Sequence, residues 1–129
     1  MRHILFSLVV VSLAGCTGAS MNRHMDKAYD AYTDGDCDRV MLELSQAERK
    51  SRARPWVQPE ISMLRGQCLE RQKLYVDAVE TYRFIERRYP NSEYAYRARA
   101  RIDTLTQLGL DGSRPVIIQP QPLKPLTAK

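Results

Sequence analysis

Apolar residues fall into two kinds of pattern along the chain. From Ile4 to Ala14 they run almost without interruption, after a basic start at Arg2 and before Gly15 and Cys16. Such a run is shorter than the roughly 20 apolar residues needed to span a bilayer, and with these flanks it reads as a secretory signal. From Met25 to about Leu108, apolar and charged residues are interleaved instead. Almost every segment there is helical in composition, with no useful β-branched alternation. The breaks are "TDGD" (33–36), "RPWVQP" (54–59), "QKL" (72–74) and "YPN" (89–91). They predict five helices of roughly 8 to 16 residues. Beyond Gly109, a suitable C-cap, stands "LDGSRPVIIQPQPLKPLTAK", whose four prolines in the last fifteen residues favour an extended, polyproline-like tail. The expected fold class is all-α.

The stretch "FIERRYPNSEYAYRARARI" (84–102) stops one helix and begins another at once. Pro90 lacks an N–H and pushes Tyr89 out of helical geometry, while Ser92 and Glu93 suit a helix start. Helices in pairs suggest a repeat. Aligning "GDCDRVMLELSQAER" with "QKLYVDAVETYRFIERRYP" sets Val40 over Ala78, Leu44 over Tyr82 and Ala47 over Ile85, 38 residues apart. The second unit, begun at Pro59, resembles a tetratricopeptide repeat of 34 residues. Gly66 and Ala78 take that family's two small positions, Tyr82 its large one and Pro90 its proline. A first unit begun at Met21 puts Ala28 at the first small position, with about four extra residues around Pro55 and Trp56. A third begun at Glu93 keeps Tyr96 and Ala100 in register and stops after one helix, as a capping helix would. The resemblance implies a short helical solenoid of about two and a half repeats.

Leu13-Ala14-Gly15-Cys16 resembles the lipobox of bacterial lipoproteins. The resemblance implies cleavage before Cys16, acylation of its thiol and new amino group, and anchoring to a membrane without crossing it. Loss of Arg2 lowers the formal charge from +5 to +4. In that family Asp after the cysteine commonly retains the protein in the inner membrane, so Thr17 implies the outer membrane, facing the periplasm. The expected domains are a signal peptide (1–15), a lipidated tether (16–23), the repeat domain (24–109) and a Pro-rich tail (110–129). Among exported lipoproteins, "YPNSEYAYRARARI" is similar to repeat boundaries of BamD-type outer-membrane assembly lipoproteins and Tol-associated periplasmic repeat proteins.

Catalytic and cofactor chemistry finds little to work with. Beyond the signal there is one histidine, His24, without a second for a metal pair or triad, and no Gly-rich phosphate loop. The expectation is a binding protein with no cofactor, no metal site and no catalytic residue. Cys37 and Cys68 would sit in an oxidising compartment. The resemblance packs their helices antiparallel, so a bond closing about 31 residues would contribute roughly 3–4 kcal/mol. Two buried thiols acting as small apolar residues are the alternative.

In stacked repeats of this family the first helix of each unit lines a concave surface. Carried onto this chain, the lining positions select Tyr29 and Tyr32, then Met63, Gln67 and Glu70, then Arg97 and Arg101. Aromatics, a methionine and arginines suit a binding surface. Charge is polarised: Asp26, Asp30, Asp34, Asp36 and Asp38 gather early, and Arg83, Arg87, Arg88, Arg97, Arg99 and Arg101 late. That is either a basic end for an acidic partner or a set of solvated helix faces. In the tail, Val116-Ile117-Ile118 could add as a strand to a partner, lie across the repeats, or stay disordered. The resulting expectation is an adaptor or scaffold for an envelope protein or complex in outer-membrane protein assembly, held to the membrane by its lipid and binding no nucleic acid. A pilotin for a secretion or pilus system, or a tether for a periplasmic enzyme, is the alternative.

Overall fold

The computed structural model describes residues 2–113, with side chains from Gly18 onward. Cys16, residues 114–129 and the Val116–Ile118 patch therefore lie outside the described side chains. Five α-helices and one 3-10 turn make up the described chain: α1 (Arg2–Asp34), α2 (Cys37–Lys50), the turn Pro55–Val57, α3 (Gln58–Arg71), α4 (Tyr75–Arg88) and α5 (Glu93–Gln107). The described residues contain no strand. Packing follows chain order, α1 on α2, α2 on α3, α3 on α4 and α4 on α5, with α3 also meeting α5.

Local chemistry sets the boundaries. Asp36 caps α2, its carboxylate accepting from the Arg39 N–H at 3.0 Å. Ser92 caps α5 through its Oγ and the Ala95 N–H, 3.2 Å. Tyr89 is the C-cap of α4, directly before the proline. After α5, Gly109 turns the chain with φ +68, a left-handed conformation that glycine adopts without steric cost. Gly35 (φ +80) plays that part after α1, whereas the matching position after α3 is Lys73 (φ 63).

Two cores form, one in each half. The first joins α1, α2 and α3 through Met21, Met25, Ala28, Val40, Leu44, Ala47, Ile61 and Leu64. The second joins α3, α4 and α5 through Met63, Ala78, Val79, Tyr82, Ile85, Ala95, Ala98 and Leu105. All six residues of the 38-residue alignment, Val40, Leu44, Ala47, Ala78, Tyr82 and Ile85, are fully buried. Full burial of each large apolar side chain contributes roughly 1.5–3 kcal/mol, so the aligned positions carry both cores.

Three expectations are corrected. The segment expected as a tether is part of α1, because Met21 is buried in the first core and continues the helical apolar stripe. The packed helical region does not stop at Gly109, the expected end of the repeat domain. Leu110 folds back on the second core, its N–H donating to the Leu105 carbonyl at 2.8 Å, and Asp111 is buried. Third, Met63 does not line an open surface: it is 3% exposed. Because α3 meets α5 as well as α4, the side of α3 carrying Met63 is closed by Ala95 and Ala98. Among the described residues no helix is long and apolar enough to cross a membrane.

Candidate functional site

Alternate helices α1, α3 and α5 bring most of the remaining candidates together. Tyr32, Gln67, Glu70 and Arg101 line one hollow, joined by Arg71 and Tyr75, which sequence reasoning did not select. The Arg71 guanidinium stacks 3.7 Å from the centre of the Tyr32 ring and donates to the Tyr32 carbonyl. This contact ties α1 to α3 and holds the Tyr32 ring, which lines the hollow, under the guanidinium. Arg71 directly follows Glu70 and falls on a lining position of the same register, which the selection from sequence left out.

Arg101 is not a free cation. Its Nε donates to Glu70 Oε1 at 2.9 Å, and its Nη2 donates to Glu70 Oε2. The Tyr82 hydroxyl donates to the same Glu70 at 2.6 Å. A carboxylate on α3 thus satisfies a buried phenol from α4 and a guanidinium from α5. Burial first, then the bond to Glu70, raises the Tyr82 phenol well above its ordinary pKa. The bond to Glu70 in turn pushes Arg101 further above its own. The trio is a structural clamp at the floor of the hollow, and its charges largely cancel.

Toward the other end, Tyr29 donates to Glu60 Oε1 at 2.8 Å while remaining 42% exposed. Partial desolvation and the nearby Glu60 carboxylate raise its pKa. The Arg97 guanidinium stands 5.6 Å from the Tyr94 ring centre. Partial burial raises the Tyr94 phenol as well. Among the described residues Arg97 makes no ion pair, whereas Arg83, Arg87, Arg99 and Arg101 all do. The basic end expected from sequence is therefore about half offset within the chain, since Arg83 and Arg87 share Glu80 and Arg88 is also without an ion pair, and Arg97 is its open charge on this face.

Cys37 and Cys68 form a disulfide, with Cα atoms 5.4 Å apart, joining the start of α2 to the late part of α3. Both lie in the first core. His24 Nδ1 lies 2.6 Å from Glu43 Oε2, a bridge between α1 and α2. No group of three His, Cys, Asp or Glu among the described residues is placed to hold a metal ion. Set beside known protein families, curated proteins and solved structures, the chain matches none of them.

Proposed function

We propose that this chain is a non-catalytic adaptor of tetratricopeptide type, anchored through Cys16 at the periplasmic side of the outer membrane, which holds an envelope protein or complex against the face of α1, α3 and α5. The solenoid arrangement and the Pro-rich tail belong to this reading. One observation carries it. Alternate helices set Tyr29, Tyr32, Tyr94 and an arginine without an ion pair, Arg97, on a single face where Glu60 is bonded to Tyr29, Arg71 is stacked on Tyr32 and Arg101 is paired with Glu70. Such a face offers rigid ring area and one directional charge, the composition of a protein-binding hot spot, without the desolvation cost of many unmet ions.

The test is site-specific photocrosslinking in the intact envelope, with adducts identified by mass spectrometry. A photoreactive residue at position 97 or 29 should capture a defined envelope protein, and one at position 87 on α4 should not. Equal capture from position 87, or none from 97 and 29, removes this face as the binding site.

A further inference from the structure

The connection between α2 and α3 carries a cluster that the binding face leaves unused. Positions 49–56 read Arg-Lys-Ser-Arg-Ala-Arg-Pro-Trp, and Trp56 is the chain's single tryptophan. Arg49, Lys50, Arg52 and Arg54 enter no ion pair among the described residues. Trp56, on the turn Pro55–Val57, is 68% exposed. Four cations without an ion pair beside an exposed indole make a basic, partly apolar patch, which suits an anionic, partly apolar surface.

The fold puts this cluster at a particular place. Arg54 lies over α1 at Gly18, where a Cβ would come within 2.6 Å of its Nη1. Trp56 borders a hollow with Met21 and Met25 on that same end of α1. Gly18 follows Cys16 by two residues, which is about 3 Å along a helix axis. Arg54 and Trp56 therefore stand beside the residue that would carry the lipid, and Arg49 and Arg52, on the same connection, line a separate hollow with Tyr89. Two carboxylates share the Trp56 hollow, Asp26 and Glu60, and Glu60 is already bonded to Tyr29.

We infer that this connection is a second, non-covalent membrane contact: Trp56 enters the headgroup region of the phospholipid leaflet, and Arg49, Lys50, Arg52 and Arg54 meet anionic phospholipid headgroups. The inference rests on the reading of Cys16 as the lipid anchor. Indole rings favour the interface because an apolar ring and a polar N–H are both satisfied there. Clustered cations near a membrane are drawn to anionic lipids, and a basic patch beside an acyl anchor is a second binding signal. The contact would also fix how the module stands on the membrane.

Because Trp56 is the only tryptophan, its emission reports on this connection alone. The mature acylated protein is reconstituted into phosphatidylcholine vesicles with and without phosphatidylglycerol, and flotation is read beside quenching by lipids brominated near the headgroup end of their chains. The protein should float with both. With phosphatidylglycerol, Trp56 emission should shift to the blue and be quenched about twofold, as expected of an indole at the interface. Arg49→Glu with Arg52→Glu, which spares the Arg54 contact to Gly18, should abolish the quenching and leave flotation and helical circular dichroism intact. Flotation with an unquenched Trp56 overturns the inference and leaves the anchor standing. Shielding of Trp56 from acrylamide without bromolipid quenching also overturns it, assigning the ring to a protein contact. Loss of flotation overturns the anchor and, with it, this contact.

Discussion

Thirty-eight residues after Ala28 stands Gly66, and thirty-eight after Leu44 stands Tyr82. The first hairpin, α1 with α2, fills the approach of its helices with a methyl and an isobutyl group, all apolar and all buried. The second, α3 with α4, removes the methyl and enlarges the partner to a phenol. A Cβ at Gly66 would come within 2.8 Å of Tyr82 Cζ, so the ring occupies the space a side chain would need. The exchange has a consequence beyond volume, because a buried hydroxyl must find a partner. Tyr82 finds Glu70, Glu70 also receives Arg101, and α5 is thereby tied in. The first hairpin is bridged within itself by His24 and Glu43, with no tie from that bridge to a third helix, and the disulfide from Cys37 to Cys68 joins it to the second. One register of buried positions thus supports two kinds of fastening.

Four experiments would break or sharpen the contrast, beginning with the covalent fastening. Cys37→Ser should lower stability by about 3 to 4 kcal/mol in denaturant titrations under oxidising conditions. With reductant present the variant and the parent should nearly coincide; an undiminished gap would assign the effect to packing.

Gly66→Leu should cost about 3 kcal/mol, since added volume meets a fully buried ring. A melting temperature equal to the parent's would mean that the close approach is elsewhere. Transplanting the first hairpin's pair is the sharper version: Gly66→Ala with Tyr82→Leu should be more stable than Gly66→Ala alone.

Tyr82→Phe removes only the hydroxyl and should cost about 1 kcal/mol, because Glu70 keeps Arg101. The same variant tests alkaline stability. With a folded pKa raised above the ordinary 10.0, the fold favours the protonated phenol. Below that value folded and unfolded chains both hold the proton and the stabilisation is complete. Above it the unfolded chain releases the proton first, so stability falls as pH rises. Tyr82→Phe should flatten that decline in part, leaving the share due to Tyr29 and Tyr94, whose shifts have the same sign.

The smallest effect compares the turns. Lys73 adopts the left-handed conformation that Gly35 adopts in the first hairpin. Lys73→Gly should therefore stabilise by about 0.5 kcal/mol, the relief of Cβ strain offset by the greater freedom of glycine when unfolded. Destabilisation would show that the lysine side chain has a role in the turn.

What could be read from sequence follows from how far each signal reaches. Helix ends at Tyr89, Ser92 and Gly109 are written in residues that act on their own backbone, and the structure places them there. The buried stripe of α2 and α4 was legible for the same reason, as a period within one helix. Misplaced features depend on residues distant in the chain. Met63 is buried because α5 closes over it, and Arg101 is occupied because Glu70 lies 31 residues earlier in the chain. Small polar residues before Met21 look like a tether until the helix that buries Met21 is present. Lys73 carried no signal for its turn, since lysine has no preference for positive φ.

The disulfide also changes how the domain bears load. A pull between an N-terminal attachment and anything gripping α4 or α5 would, in an uncrosslinked chain, draw out the residues from Cys37 to Cys68 as slack. That segment holds roughly 100 Å of extended chain. With the two cysteines joined, tension passes from the start of α2 directly to the end of α3, and the segment between them stays out of the line of force. The contour length available to forced unfolding is shortened by that amount.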